Sequence, residues 1–310
     1  MAGVRIFDSD LARRLVVHEA SAQQTPARQL RDLGDGWLFH DSTDPEPFWN
    51  RLIAPVWPSD APAFDRRLDE IITLFASLGR LPHVRPLALG GSPPDIAQRL
   101  TAAGFETLGV DRRMVLARHG DGAALVDAMM ARVTHAFDGQ AEVTVRRRES
   151  AAGTGRAATL EPGEGDSQAD ADDPGWADRR RWAVDASLVL ADAFDVDQDR
   201  RVALENDLIA CVSRPGCAVL LVSIGGVPAA IARRATTKDG SYLSSIGTRP
   251  AFRGRGLGAL ATALAVADAL EAGSQIVHLA VEADNDAALR LYERMGFVTV
   301  GEASPDLLLR

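Results

Sequence analysis

Arg253-Gly254-Arg255-Gly256-Leu257-Gly258-Ala259 gathers the residue types that hold a phosphate. Three glycines leave backbone N–H groups unshielded by side chains. They stand where an apolar helical segment, 260–270, begins, so a helix N-terminus adds partial positive charge. Arg253 and Arg255 bring guanidinium groups that pair with phosphate oxygens. The chemistry is pyrophosphate binding. Gly254-x-Gly256-x-x-Ala259 also fits the dinucleotide pattern G-x-G-x-x-G/A, with Glu282 near the spacing of a ribose-binding acid. The context argues against that reading, because only about fifty residues follow the turn, too few to complete a dinucleotide-binding sheet. The plainest alternative is an Arg/Gly-rich surface turn capping a helix.

The elements around the turn follow from periodicity and turn chemistry. Residues 217–224 and 227–234 are apolar runs separated by Gly225-Gly226, which predicts a hairpin. After Lys238-Asp239-Gly240, 241–248 is a third strand, leading straight into the glycine turn. A strand at 275–281, a helix at 285–295 and a final strand pair from Phe297 onward complete the order. Upstream, 180–193 and 198–212 read as helices, and 141–147 alternates as a strand with Val143 and Val145 on one face. Between them, 150–178 is rich in Gly, Ala and acids and lacks the apolar surface to offset chain ordering, so a mobile loop is expected.

Composition narrows the classes. With 310 residues the chain has room for two domains. Its formal net charge of −9 argues against a general nucleic-acid binder. No apolar run reaches the length of a membrane span, and the first fifteen residues have no signal-peptide core. Cys211 and Cys217 are the only cysteines, and no Cys/His cluster has metal-ligand spacing. A cytoplasmic protein without metal or disulfide framework is the expectation; pairing of the two cysteines across Pro215-Gly216 is the alternative.

A second motif decides between the readings of the turn. Asn285-x-x-Ala288-x-x-Leu291-Tyr292-x-x-x-Gly296-Phe297 lies downstream of Arg253-x-x-Gly256-x-Gly258, which is preceded by Thr248-Arg249-Pro250. Together these resemble the two signatures of the GCN5-related N-acetyltransferase (GNAT) superfamily, over roughly 141–310. The resemblance implies an α/β (α+β) fold, a mixed, mostly antiparallel, splayed sheet flanked by helices. It implies acetyl-CoA as co-substrate, no metal, and an amine acceptor, either a small molecule or a protein amine. Backbone groups of Ile246, Gly247 and Thr248 would pair with the pantetheine arm. Amides from Arg253, Gly254, Arg255, Gly256, Leu257, Gly258 and Ala259 would bind the pyrophosphate. Asn285 suits an N-cap that also contacts the cofactor arm.

Acyl transfer needs a neutral amine, an oxyanion donor and an acid for the leaving thiolate. Tyr292 occupies the family's general-acid position, and a backbone N–H near Ile246 or Gly247 is the expected oxyanion donor. The strand 241–248 lacks the carboxylate that many members carry. Glu282 and Asp284, a water chain and the terminal carboxylate at Arg310 are the alternatives for the base. That gap keeps a non-catalytic acyl-CoA-binding or regulatory module as the rival function. Oligomeric state is open between monomer and homodimer.

The first half is expected to repeat the plan in degenerate form. An offset of 192 residues superposes Gly104-Phe105 on Gly296-Phe297, Leu87-Ala88 on Leu279-Ala280, Thr107 on Thr299, Gly109 on Gly301 and Leu116 on Leu308. Where the second half has its glycine turn, the first has Trp57-Pro58-Ser59-Asp60-Ala61-Pro62, and prolines have no N–H to offer an anion. The expected division is therefore 1–140, degenerate, and 141–310, cofactor-binding.

Overall fold

The computed structural model describes residues 5–117, 120–139, 142–149 and 176–310, the side chains of 176–179 excepted. The chain runs β1 (Arg5–Ile6), α1 (Ser9–Ser21), β2 (Arg28–Asp32), β3 (Trp37–Asp41), β4 (Arg51–Ile53), α2 (Ala61–Ser77), β5 (His83–Arg85), α3 (Ile96–Ala102) and β6 (Glu106–Leu116). It continues with α4 (Gly122–Ala136), β7 (Val143–Glu149), α5 (Trp176–Phe194), α6 (Arg201–Val212), β8 (Cys217–Ile224), β9 (Val227–Thr237) and β10 (Gly240–Thr248). It ends with α7 (Leu257–Glu271), β11 (Val277–Glu282), α8 (Asp286–Arg294) and β12 (Phe297–Leu308). Up to residue 175, the loop expected at 150–178 lies outside the described residues, and Trp176 already begins α5.

Contacts separate two compact units, Met1–Arg118 with His278–Arg310, and His119–Val277. This differs from the division expected at residue 140: the last 33 residues pack with the first half of the chain. The physical reason is strand pairing. β12 runs antiparallel to β6 from Phe297 opposite Leu116 to Leu308 opposite Glu106, and β6 runs antiparallel to β11 on its other side. The strand pair expected after Phe297 is one long strand. It is interrupted by a register shift between Val300 and Ser304, where Gly301 takes a φ of +66°.

In the first unit, β2, β3 and β4 form an antiparallel meander, β4 joins β5 in parallel, and β5 joins β12. The amphipathic helix α2 buries Phe64, Leu68, Ile71 and Phe75 on one stripe. That stripe packs on Leu38, Leu52 and Val84 of the sheet and on Ile96 and Leu100 of α3. The repeat register holds locally. Gly104 and Gly296, each leading from a helix into a long strand, have φ of +94° and +92°, and those strands, β6 and β12, pair with each other. Leu87-Ala88, by contrast, follows β5 whereas Leu279-Ala280 lies inside β11.

This unit also buries a charge cluster. Glu19 of α1 accepts from Arg51 at 2.9 Å and from Arg85 at 2.8 Å, with Arg113 at 3.6 Å. Burial alone would raise the Glu19 carboxyl, but Arg85, Arg51 and Arg113 outweigh it and lower its pKa to about 2. Arg85 also pairs with Asp111 and Asp306. His278 is fully buried, with its Nε2 2.6 Å from Nδ1 of His18. Burial, and after it His18, hold its imidazole well below the usual value and so neutral.

In the second unit, β10, β9, β8 and β7 form an antiparallel sheet in that order. The expected hairpin is present, with β8 and β9 turning at Gly225-Gly226, both at positive φ. Neighbouring residues of a strand face opposite ways, and two arginines of β9 show it. Arg233 reaches Asp207 of α6, and Arg234 reaches Asp268 of α7, each at 2.6 Å. So α5 and α6 cover one face and α7 the other. α7 is apolar nearly all round because α4 covers its outer side. A Cβ on Gly122 would stand 2.8 Å from Ala267 Cα, so only glycine allows that approach.

Cys211 and Cys217, expected unpaired, are joined by a disulfide from the end of α6 to the start of β8. The tight turn at Pro215-Gly216 brings the two Cα atoms to 5.7 Å, within bridging range. This removes the ground on which a reducing, cytoplasmic compartment was expected. No helix of the described residues is long and apolar enough to cross a membrane.

Candidate acyl-CoA site

The glycine turn is built by backbone conformations that only glycine adopts freely. After β10, a short 3-10 turn at Pro250–Phe252 uses the Arg253 N–H, which donates to Pro250 O at 3.2 Å. Gly254 and Gly256 then take φ of +78° and +83°, in the left-handed region. Gly256 is the N-cap of α7 and has no side chain to cap it. Leu260 is the first residue to bond back, to Gly256 O at 3.0 Å. The amides of Leu257, Gly258 and Ala259 thus precede the helical ladder and lack a capping group, the arrangement that takes an anion. Gly258 lies next to the end of β10, where a Cβ would be in ordinary contact with Thr248 Oγ1 at 3.4 Å.

The two arginines of the turn behave differently from the sequence expectation. Arg253 donates Nε to Thr248 O at 3.1 Å and Nη2 to Ala193 O at 2.8 Å, so it ties the end of α5 to the turn. With its N–H also engaged, Arg253 serves the local architecture first. Arg255 lies over the Phe137 ring, 4.9 Å from its centroid, and remains exposed. Next to them, Arg249 pairs with Asp192 of α5 at 2.7 Å.

The strand before the turn carries a bulge. β10 pairs Ser244 with Arg233 but Gly247 with Ile231, so one extra residue enters β10 between them. Ser245 there has a φ of +52°. A bulge takes backbone groups out of the ladder, here at Ser245 and Ile246, and Gly247 beside it is back in register opposite Ile231; Ile246 and Gly247 are where the oxyanion donor was expected. Gly247 is required by space: its Cβ would meet Ala193 Cβ at 2.8 Å and Phe194 Cε2 at 3.0 Å.

The remaining sequence-derived residues belong to the other unit, with His278–Arg310. Asn285 caps α8 as expected, accepting from Ala288 N at 3.1 Å. Tyr292 is buried, its ring edge-on to Phe297 with centroids 5.9 Å apart. Burial pushes its phenol above the ordinary value of 10. Glu282 ends β11, opposite Asp111 of β6, and is exposed. The structure therefore collects Ile246 to Ala259 in one unit, and Glu282, Asn285 and Tyr292 in the other.

Two features were missed in the sequence. Arg233 and Arg234, at the end of the strand expected at 227–234, drew no separate reading, yet both are almost fully buried. Arg233 Nε and Nη2 meet no hydrogen-bond acceptor among the described residues. Phe194, just past the helix expected at 180–193, is 54% exposed beside Gly247. Only the alternation of β9, with Arg233 in an otherwise apolar face, carried a signal.

At 57–62 in the first unit, where the sequence offset places the counterpart of the glycine turn, the helix start is closed by a side chain. Asp60 caps α2 by accepting from Ala63 N at 3.1 Å, with Pro62 in the first turn. A carboxylate there occupies the donors and repels a phosphate. Trp57 is buried against Phe64, with ring centroids 5.3 Å apart.

Comparison with known proteins agrees with this geometry. Residues 181–297 match the acetyltransferase (GNAT) family model. A mycothiol acetyltransferase of Mycobacteroides abscessus is 50% identical over 52 residues, 17% of this chain and 18% of that protein. The matched stretch thus spans less than a fifth of that relative's length. Among solved structures, a GCN5-related N-acetyltransferase from Kribbella flavida superposes with a TM-score of 0.58 and 19% identity, covering 95% of each chain. A tandem GNAT protein from the clavulanic acid biosynthesis pathway superposes with a TM-score of 0.51 and 14% identity, covering 92% of this chain and 83% of that one. Residues 181–297 thus match the GNAT acetyltransferase family model, and the chain as a whole is similar in fold to a tandem GNAT protein.

Proposed function

We propose that this protein transfers the acetyl group of acetyl-CoA to a primary amine by direct attack in a ternary complex. The observation that carries the reading is the uncapped start of α7. Three first-turn amides follow a left-handed glycine, one short turn after a bulged strand, inside the stretch that matches the family model. Pyrophosphate oxygens suit those amides, and Arg255 is free to add a charge-assisted bond. The pantetheine amides would pair with the backbone of Ile246, Gly247 and Thr248 as an added strand.

The chemistry then needs few groups. The amine lone pair attacks the thioester carbonyl carbon, a C–N bond forms, and the carbonyl pair moves onto oxygen. An N–H at the bulge, from Ile246 or Gly247, receives that charge. Collapse breaks the C–S bond, and the thiolate takes a proton from the Tyr292 phenol. Burial keeps that phenol protonated at neutral pH, so it enters the reaction as a donor. The nitrogen loses its extra proton to Glu282 or to solvent. The disulfide-bonded cysteines offer no free thiol for a covalent relay.

A library of amines, followed by release of free CoA thiol, tests the proposal. Acetylation of any amine supports it. Acetyl-CoA binding by calorimetry with no turnover on any amine favours the binding module instead. Absence of both overturns the site.

A further inference from the structure

We infer that Phe194 sets the upper size of the acyl group transferred at this site. The inference rests on the acyl-transfer reading, and concerns which thioester is accepted. α5 ends at Phe194, and Asp195 turns the chain away with a φ of +52°. The Phe194 ring occupies the space a side chain at position 247 would need, with Cε2 at 3.0 Å and Cζ at 3.5 Å from that Cβ position. A thioester oxygen held by an amide of Ile246 or Gly247 brings its acyl carbon to roughly 4 Å from that backbone, since an N–H···O bond spans about 2.9 Å. The acyl chain then extends against the ring.

The ring is not core filling, because 54% of Phe194 is exposed while the neighbouring Ala191 and Leu190 are buried. Nor can it withdraw freely. The last turn of α5 is held by Arg253 on Ala193 O at 2.8 Å and by Arg249 on Asp192 at 2.7 Å. On the strand side, Gly247 and Ala193 are already at the limit of approach, since even a Cβ would meet Ala193 at 2.8 Å. A wall fixed in this way discriminates by methylenes, and one methylene in an apolar pocket changes kcat/KM by roughly tenfold or more. Acetyl fits; longer chains meet the ring.

The test compares acetyl-, propionyl- and butyryl-CoA with the parent protein, Phe194→Leu and Phe194→Ala, on an amine found active. Butyryl transfer by the parent should be at least tenfold below acetyl transfer in kcat/KM. Phe194→Ala should bring the two within about threefold, and Phe194→Leu should fall between. Free CoA, which has no acyl group, provides a calorimetric check that each variant retains its fold. Equal acetyl-to-butyryl ratios in the parent and Phe194→Ala overturn the inference, as does a change confined to the KM of the amine. If the parent acylates no amine from any thioester, the acyl-transfer reading has failed separately. Calorimetry of butyryl-CoA against acetyl-CoA then decides the point, and an unchanged affinity ratio in Phe194→Ala overturns it.

Discussion

The guanidinium of Arg253 donates to the carbonyl of Ala193 at 2.8 Å, across sixty residues of sequence. Ala193 lies in the last turn of α5, where carbonyls have no intrahelical partner. The first residue of the cofactor motif is therefore also the cap of a helix on the other side of the bulge. Arg253→Ala should speed amide exchange at the end of α5 and cost about 1 kcal/mol, as for one exposed charge-assisted bond. Hydrogen exchange with mass spectrometry reads the first effect, and urea unfolding the second.

Gly256→Ala places a Cβ on a backbone at φ +83°. The strain amounts to about 1–2 kcal/mol for an L residue in the left-handed region. Relief of that strain would rotate the first-turn amides of α7 away from their common direction. The expected outcome is at least tenfold weaker acetyl-CoA binding by calorimetry. Gly256→Pro, which cannot reach positive φ at all, should abolish it.

Tyr292→Phe keeps the ring against Phe297 and removes only the proton. Acetyl-CoA affinity should stay within about threefold, while acetylation falls at least tenfold. Unchanged turnover would remove Tyr292 from the mechanism. Because burial raises the phenol above 10, no loss of rate from its ionisation is expected below that pH.

Glu19 holds the charge cluster of the first unit together. Its carboxyl lies at about 2, below the ordinary value of 4.5. A lowered carboxyl stabilises the fold above its unfolded value, and that contribution disappears as pH falls through the native one. Urea midpoints should therefore drop between about pH 5 and 2. Glu19→Gln leaves Arg51 and Arg85 buried without their shared counter-charge, and should destabilise by about 3–5 kcal/mol at neutral pH. A loss under about 1 kcal/mol would show that the cluster is dispensable.

Reduction of Cys211–Cys217 opens a short loop, with a sequence separation of six. Chain entropy alone puts the cost at about 2 kcal/mol. Alkylation before and after reduction, with thermal melts of both forms, measures the pairing and its contribution.

Much of the candidate site was legible because it is local. A glycine at a left-handed N-cap, a strand just before it and an asparagine three residues before the amide it accepts from are relations within a few residues. The chain can satisfy them whatever lies elsewhere. The hairpin at Gly225-Gly226 and the stripe of α2 belong to the same class, as does the capping of α2 by Asp60. The bulge was less visible, because an extra residue in β10 has meaning only against the register of β9.

What the sequence by itself determined, then, is the local conformation of the glycine turn, the order of elements and the repetition of helix, Gly-Phe and strand at Gly104 and Gly296. Tertiary structure alone decided the partners. β6 and β12 lie far apart in the chain, and their alternating residues specify a buried face without naming a neighbour. Their pairing puts Tyr292, Asn285 and Glu282 in the same compact unit as the first half of the chain. Contacts such as Arg253 with Ala193, His18 with His278, and Phe194 with Gly247 also come from packing across long loops. Each residue there is ordinary in its own window, and close approach turns it into a cap, a buried pair or a wall.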